Sequence, residues 1–200
     1  MRLSQLDGWN MLIWRGGLSS LAYLLIWIMM DQHKSWSKVF TRHFGILILC
    51  QIANAVLFSL AIAAAPVVIV LIGVATVPIF AAFLSRVILK EPLSKLTLLT
   101  AMVVFSGLLI SMSGDETQRF MRETNTLVGL LLGLGVAIAL AMNFTLIRKE
   151  RDAPFVLAMA IGALCAGSLG FFCADTLQWL PAVNMMAIAL TGICILPLSF

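Results

Sequence analysis

Two histidines, four cysteines and nine acidic residues are the groups in this chain with acid–base, metal-binding or nucleophilic chemistry. Their spacing assembles none of it. His33 and His43 share a basic loop, with no paired carboxylates or nucleophile motif beside them, and read as interfacial loop histidines. Cys50, Cys165, Cys173 and Cys194 each fall inside an apolar run and form no C-x-x-C pair, so they read as small buried hydrophobes. No catalytic residue, metal site or cofactor is expected. What remains is noncovalent chemistry at depth. Asn54 and Thr76 lie about 15 Å inside their apolar runs, and Tyr23 and Thr191 fall at similar depth in theirs. Gln51, Asn54 and Phe58 share one helical face at i, i+3 and i+7. Polar side chains are costly in lipid, so Asn54, Thr76, Tyr23, Thr191 and Gln51 should face a protein interior. There they either line a solute site or bond helix to helix, and the residue types leave both roles open.

The elements that place these residues are apolar helices. Hydrophobic residues make up 62% of the chain and charged residues 11%, against about 25% charged in an ordinary soluble domain. The class is therefore an all-α, polytopic helical membrane protein. The net charge of +4 comes from basic residues in short loops and is no signal for nucleic acid.

The stretch Pro66 to Ile110 organises the rest. Pro66 to Leu89 is roughly 36 Å long as a helix, enough to cross a hydrocarbon core of about 30 Å. Pro78, halfway along, lacks a backbone donor and clashes with the preceding turn, which predicts a kink near Val74. Backbone freed there survives only against protein or a water-filled cavity. Lys90, Glu91 and Pro92 then interrupt, and the next apolar run starts at Leu93, so the two spans must be antiparallel neighbours. Glu91 suits the N-terminal end of that following helix, where a carboxylate meets free backbone donors.

About seven spans are expected in all: Met11–Met30, Phe44–Ala63, Pro66–Leu89, Leu93–Met112, Thr126–Ile147, Pro154–Ala174 and Ala182–Phe200. Alternate loops collect Lys34, Lys38, Arg42, Arg86, Lys90, Lys95, Arg148, Lys149 and Arg151, whereas Arg2, Arg15, Arg119 and Arg122 fall on the other side. The richer side should be cytoplasmic, which runs the first span from outside to inside. The run from Met11 is span-length with no small-residue cleavage site after it, so no cleavable signal peptide is expected. An outside N-terminus without a signal points to a further span upstream. Ala158, Gly162, Ala166, Gly170 and Ala174 draw a small-residue stripe down one span, as Gly129 and Gly133 do on another, which predicts close helix packing.

The run PVVIVLIGVATVPIFAAFLSRVILKEPLSKLTLLTAMVVFSGLLI resembles the signature half of the drug/metabolite transporter superfamily, EamA-like branch. The marks are Pro66 opening a span, Pro78 within it, Arg86, Glu91 at the hairpin and small residues in the next helix. Trp14 and Arg15 are similar to the start of the family's second helix. The resemblance implies a ten-helix carrier built from two inverted five-helix repeats, of which this chain holds helices two to eight. Residues 1–112 would be the first repeat without its first helix, 113–125 an external connecting loop, and 126–200 a second repeat truncated after its third helix. It further implies a multi-pass protein of the inner or plasma membrane that moves small metabolites, often outward, by alternating access. The expected partners are a small-molecule solute and the lipid bilayer, a homodimer is compatible with both, and nucleic acid is not expected. The alternatives are a non-transporting membrane subunit or a membrane-embedded enzyme; the latter needs a reactive cluster at one depth, which the sequence lacks.

Overall fold

The computed structural model describes residues 8–30, 41–90, 126–150 and 153–174, with short helical pieces at 99–100, 102–104, 106–107 and 110. Every regular element among the described residues is helical. We number them α1 (Gly8–Met30), α2 (Arg42–Ala64), α3 (Val67–Val74), α4 (Val77–Leu84), α5 (Thr126–Lys149) and α6 (Phe155–Cys173), with a π-helical turn over Ser85–Leu89 after α4. Five stretches among the described residues are long and apolar enough to cross a membrane: Gly8–Met29, Arg42–Ala64, Val67–Leu89, Leu127–Lys149 and Phe155–Cys173. They correspond to five of the expected spans. The span expected from Leu93 is represented only by the pieces between 99 and 110. Glu91, the loop 113–125 and the last span, with Thr191 and Cys194, lie outside the described residues.

Prolines set the boundaries. Ala65, the residue before Pro66, takes an extended backbone (φ −141°, ψ 162°), as the proline ring requires of its predecessor. The chain therefore leaves α2 and enters α3 through a two-residue turn, with Pro66 capping the new helix. Pro154 plays the same part at the start of α6.

The third span breaks where Pro78 predicts. α3 ends at Val74, Ala75 and Thr76 form a turn, and α4 resumes at Val77 with Pro78 in its first turn, where a missing donor costs least. The Thr76 amide (3.2 Å) and hydroxyl (2.6 Å) both donate to Gly73 O, so the side chain completes the backbone at the break. The π turn that closes this span ends at Lys90 in the left-handed region (φ 56°), a feature with no signature in the sequence.

Close glycine contacts give the direction of each helix relative to its neighbours. Along α2 and α5, Gly135 meets Leu57 and Gly129 meets Ala65, so one numbering rises as the other falls and the pair is antiparallel. On α3 and α5, Gly129 meets Ile69 and Gly133 meets Gly73, a parallel pair. α6 lies between α1 and α2: Gly170 meets Trp9 and Ile13, Gly167 meets Gly16, and Gly162 meets Gln51 and Ile48. The expected stripe on α6 is buried at Ala158, Gly162, Ala166 and Gly170, while Ala174 at its end is half-buried. A second row on α6, Met159, Ala163 and Gly167, is buried as well, because α6 has a neighbour on each side.

One cysteine departs from expectation. Cys50 and Cys165 are half-buried, but Cys173 is exposed beside Phe171 and Phe172. An apolar side chain at the end of a spanning helix needs no protein cover when lipid is the solvent.

Candidate functional site

α1, α2 and α5 each turn polar side chains inward, and each helix brings its part by ordinary helical spacing. On α2, Gln51 and Asn54 are buried at 4% and 5% exposure, with Phe58 half-buried one turn further on. The expected face is thus turned inward, held there by α6, whose Gly162 leaves room only for the Gln51 stem. On α5, Asn143 is fully buried, and its Nδ2 donates to Gln51 Oε1 at 3.3 Å. Its Oδ1 has no partner among the described residues. Thr145, two residues on, spends its hydroxyl on Ala141 O.

α1 contributes more than its sequence promised. The helix is described from Gly8, where an added Cβ would lie 3.0 Å from the Ala63 side chain of α2. Arg15 is about 10 Å further along the helix. It falls within the first candidate span, Gly8–Met29, toward the end where the outer basic residues were expected. Its guanidinium carbon stands 4.5 Å from the centroid of the Phe58 ring, a cation–π contact between α1 and α2. Arg15 Nη1, Ser19 Oγ and Tyr23 Oη are all buried without a hydrogen-bond partner. They follow at i, i+4 and i+8, one stripe along α1. The Tyr23 ring packs on Val156, Met159, Ala160 and Ala163 of α6, so only its hydroxyl adds to this polar stripe.

Of the expected site residues, the fold turns Gln51, Asn54 and Tyr23 into the bundle. Thr76 is half-buried at the break, with its hydroxyl bonded locally, and Thr191 lies outside the described residues. Asn143 and Arg15 were missed as site residues. Each was legible as a polar side chain within an apolar run; Arg15 shares the face of Tyr23 on α1, whereas Asn143 meets Gln51 only when the helices pack.

A second polar group sits at the other end of the bundle. His43, near the start of α2, has Nε2 3.2 Å from Lys149 Nζ and Nδ1 3.5 Å from Glu150 Oε1. It ties the start of α2 to the end of α5, a structural role beyond that of a loop histidine. Among the described residues no three His, Cys, Asp or Glu side chains converge as metal ligands do.

A membrane-spanning bundle with a broken span and inward-facing polar side chains has the form of a carrier. The model of the EamA-like transporter family matches residues 1–113. The chain belongs to the EamA-like transporter family. The match covers α1, α2 and the broken span, so the polar stripe of α1 and the Ala75–Thr76 turn fall within the family region. No curated protein and no solved structure matches the chain. As an EamA-like protein it is a multi-pass membrane transporter of small molecules.

Proposed function

We propose that this EamA-like chain exports small metabolites across the inner or plasma membrane by alternating access, around a site formed by Gln51, Asn54, Tyr23, Asn143 and Arg15 and bordered by Thr76. The observation that carries the reading is the broken third span. Gly73 and Gly133 bring the backbones of α3 and α5 together two residues before the Ala75–Thr76 turn, and α4 continues against α5 as a separate short helix beyond that turn. Irregular backbone at membrane depth is tolerated where it is enclosed by protein or lines a water-filled cavity.

The packing of α1 on α6 supports an inverted repeat. With the chain taken as helices two to eight of ten, α1 and α6 are the second helices of the two repeats. They run antiparallel with Gly16 against Gly167, the relation expected of equivalent elements about an axis in the membrane plane. The repeats then divide at the loop 113–125.

Cells expressing the chain and loaded with a panel of labelled metabolites should release at least one faster than cells carrying Pro78→Ala. Equal release from both, with the chain always co-purifying with another membrane protein, would replace the carrier with a non-transporting subunit.

A further inference from the structure

We infer that the solute recognised by this chain carries an oxyanion, a carboxylate or phosphate group, bound by Arg15 with help from Ser19 and Tyr23; this rests on the transporter reading and names the substrate class of the same site. Three observations lead there. First, the half-buried Arg15 has a shielded Nη1 and no carboxylate partner among the described residues. Glu150 is the only carboxylate among the described residues, and it faces His43, at the opposite end of α2 from Phe58. A buried cation is ordinarily paired, because desolvation without compensation is expensive. The Phe58 ring offsets a part of that cost through its quadrupole, but it accepts no in-plane N–H bond.

Second, the ring holds the guanidinium carbon in place, 4.5 Å from its centroid. The N–H groups are left for a partner, and Nη1 among them is buried and empty-handed. A planar fork of donors held in this way matches two oxygens of a carboxylate or phosphate. Third, the groups beside it are of the right kind. Ser19 and Tyr23 each carry a buried hydroxyl without a partner on the same stripe of α1. One cation and two free hydroxyl donors in succession ask for an acceptor-rich ligand, and a neutral or cationic solute would leave the arginine unpaired. The α1 stripe spans about 12 Å from Arg15 to Tyr23, the length of a small metabolite.

The test is ligand-dependent thermal unfolding of the purified full chain in phosphatidylcholine vesicles. The probes are benzoate, its neutral isostere benzamide, and inorganic phosphate. Benzoate or phosphate should raise the midpoint and benzamide should not; which of the two anions acts separates the carboxylate from the phosphate class. Arg15→Lys should raise the half-saturating concentration about tenfold, since a point charge replaces a fork, and Arg15→Gln should abolish the shift. If Arg15→Gln does not fold, Tyr23→Phe and Ser19→Ala each remove one donor without opening a hole and should weaken the response several-fold.

An equal response to benzamide, or an anion response unchanged in Arg15→Gln, overturns the inference. So does a shift that requires phosphatidylglycerol and ignores all three probes, because the oxyanion is then a lipid headgroup. Arg15-dependent anion binding without any flux keeps this inference and defeats the transporter reading. Flux of neutral solutes that survives Arg15→Gln does the reverse.

Discussion

Asn143 Nδ2 donates to Gln51 Oε1 across 3.3 Å, joining α5 to α2 through a side-chain bond between residues 92 apart in the chain. The bond is slightly longer than the usual range, and the Asn143 amide oxygen has no partner among the described residues. Both amides sit where water from outside does not reach, so the pair is held by packing and left with spare capacity. That combination marks a place where a further polar group can be accommodated.

The first prediction concerns this pair. Gln51→Leu keeps the stem that Gly162 packs against but leaves the Asn143 amide unsatisfied. Stability in mixed micelles should fall by about 1 kcal/mol, in the range of about 0.6 to 2 kcal/mol for interhelical polar bonds in membranes. Adding Asn143→Leu should recover part of the loss, since no orphaned amide remains. Strictly additive losses in the double variant would show that the two side chains are not coupled. Transport should fail in both variants if the amides also hold solute.

Two adjacent glycines should behave oppositely. A Cβ on Gly16 would lie 2.8 Å from Ala163 O and from the Gly167 backbone, whereas nothing stands within 4 Å of a Cβ on Gly17. Gly16→Ala should therefore destabilise by about 1–3 kcal/mol through overpacking. Gly17→Ala should be neutral or stabilising by up to ~1 kcal/mol through helix propensity. Thermal unfolding of both variants decides it, and equal effects would place the α1–α6 crossing elsewhere.

The break is tested by making the third span continuous. Pro78→Ala restores an amide donor and removes the ring that forces the Ala75–Thr76 turn. Flux should fall about tenfold, equivalent to ~1.4 kcal/mol on the transport barrier, with thermal stability retained. Thr76→Val should also slow transport, because the hydroxyl that bonds Gly73 O at 2.6 Å is lost from the break. Undiminished flux in both would show that the break is a packing feature alone.

Orientation is the last. The expected cytoplasmic side collects nine of the basic residues, and with Arg15 placed inside a span the other side keeps Arg2, Arg119 and Arg122. In a chain freed of its own cysteines, an impermeant thiol reagent applied outside should label Gln118→Cys and spare Ser37→Cys. The opposite pattern would invert the topology.

How much of this was legible beforehand depends on whether the cause is local. The break near Val74 follows from one proline, the cap at Pro66 from the ring of another, and span lengths from the thickness of a bilayer, so the sequence alone determined them. The inward face of Gln51 and Asn54 follows from the 3.6-residue period and the cost of polar groups in lipid. The order in which helices meet is different. α6 lies between α1 and α2, and α5 lies against both halves of the broken span, because small residues on two distant segments happen to be complementary. Gly16 finds Gly167, and Gly73 finds Gly133, and no spacing within either helix specifies its partner. Arg15 is the clearest case. Its type and position were visible, but its contact was not. Its neighbour Phe58 is 43 residues away. Only the packed bundle could decide that this arginine lies over an aromatic ring, with donors still to be satisfied.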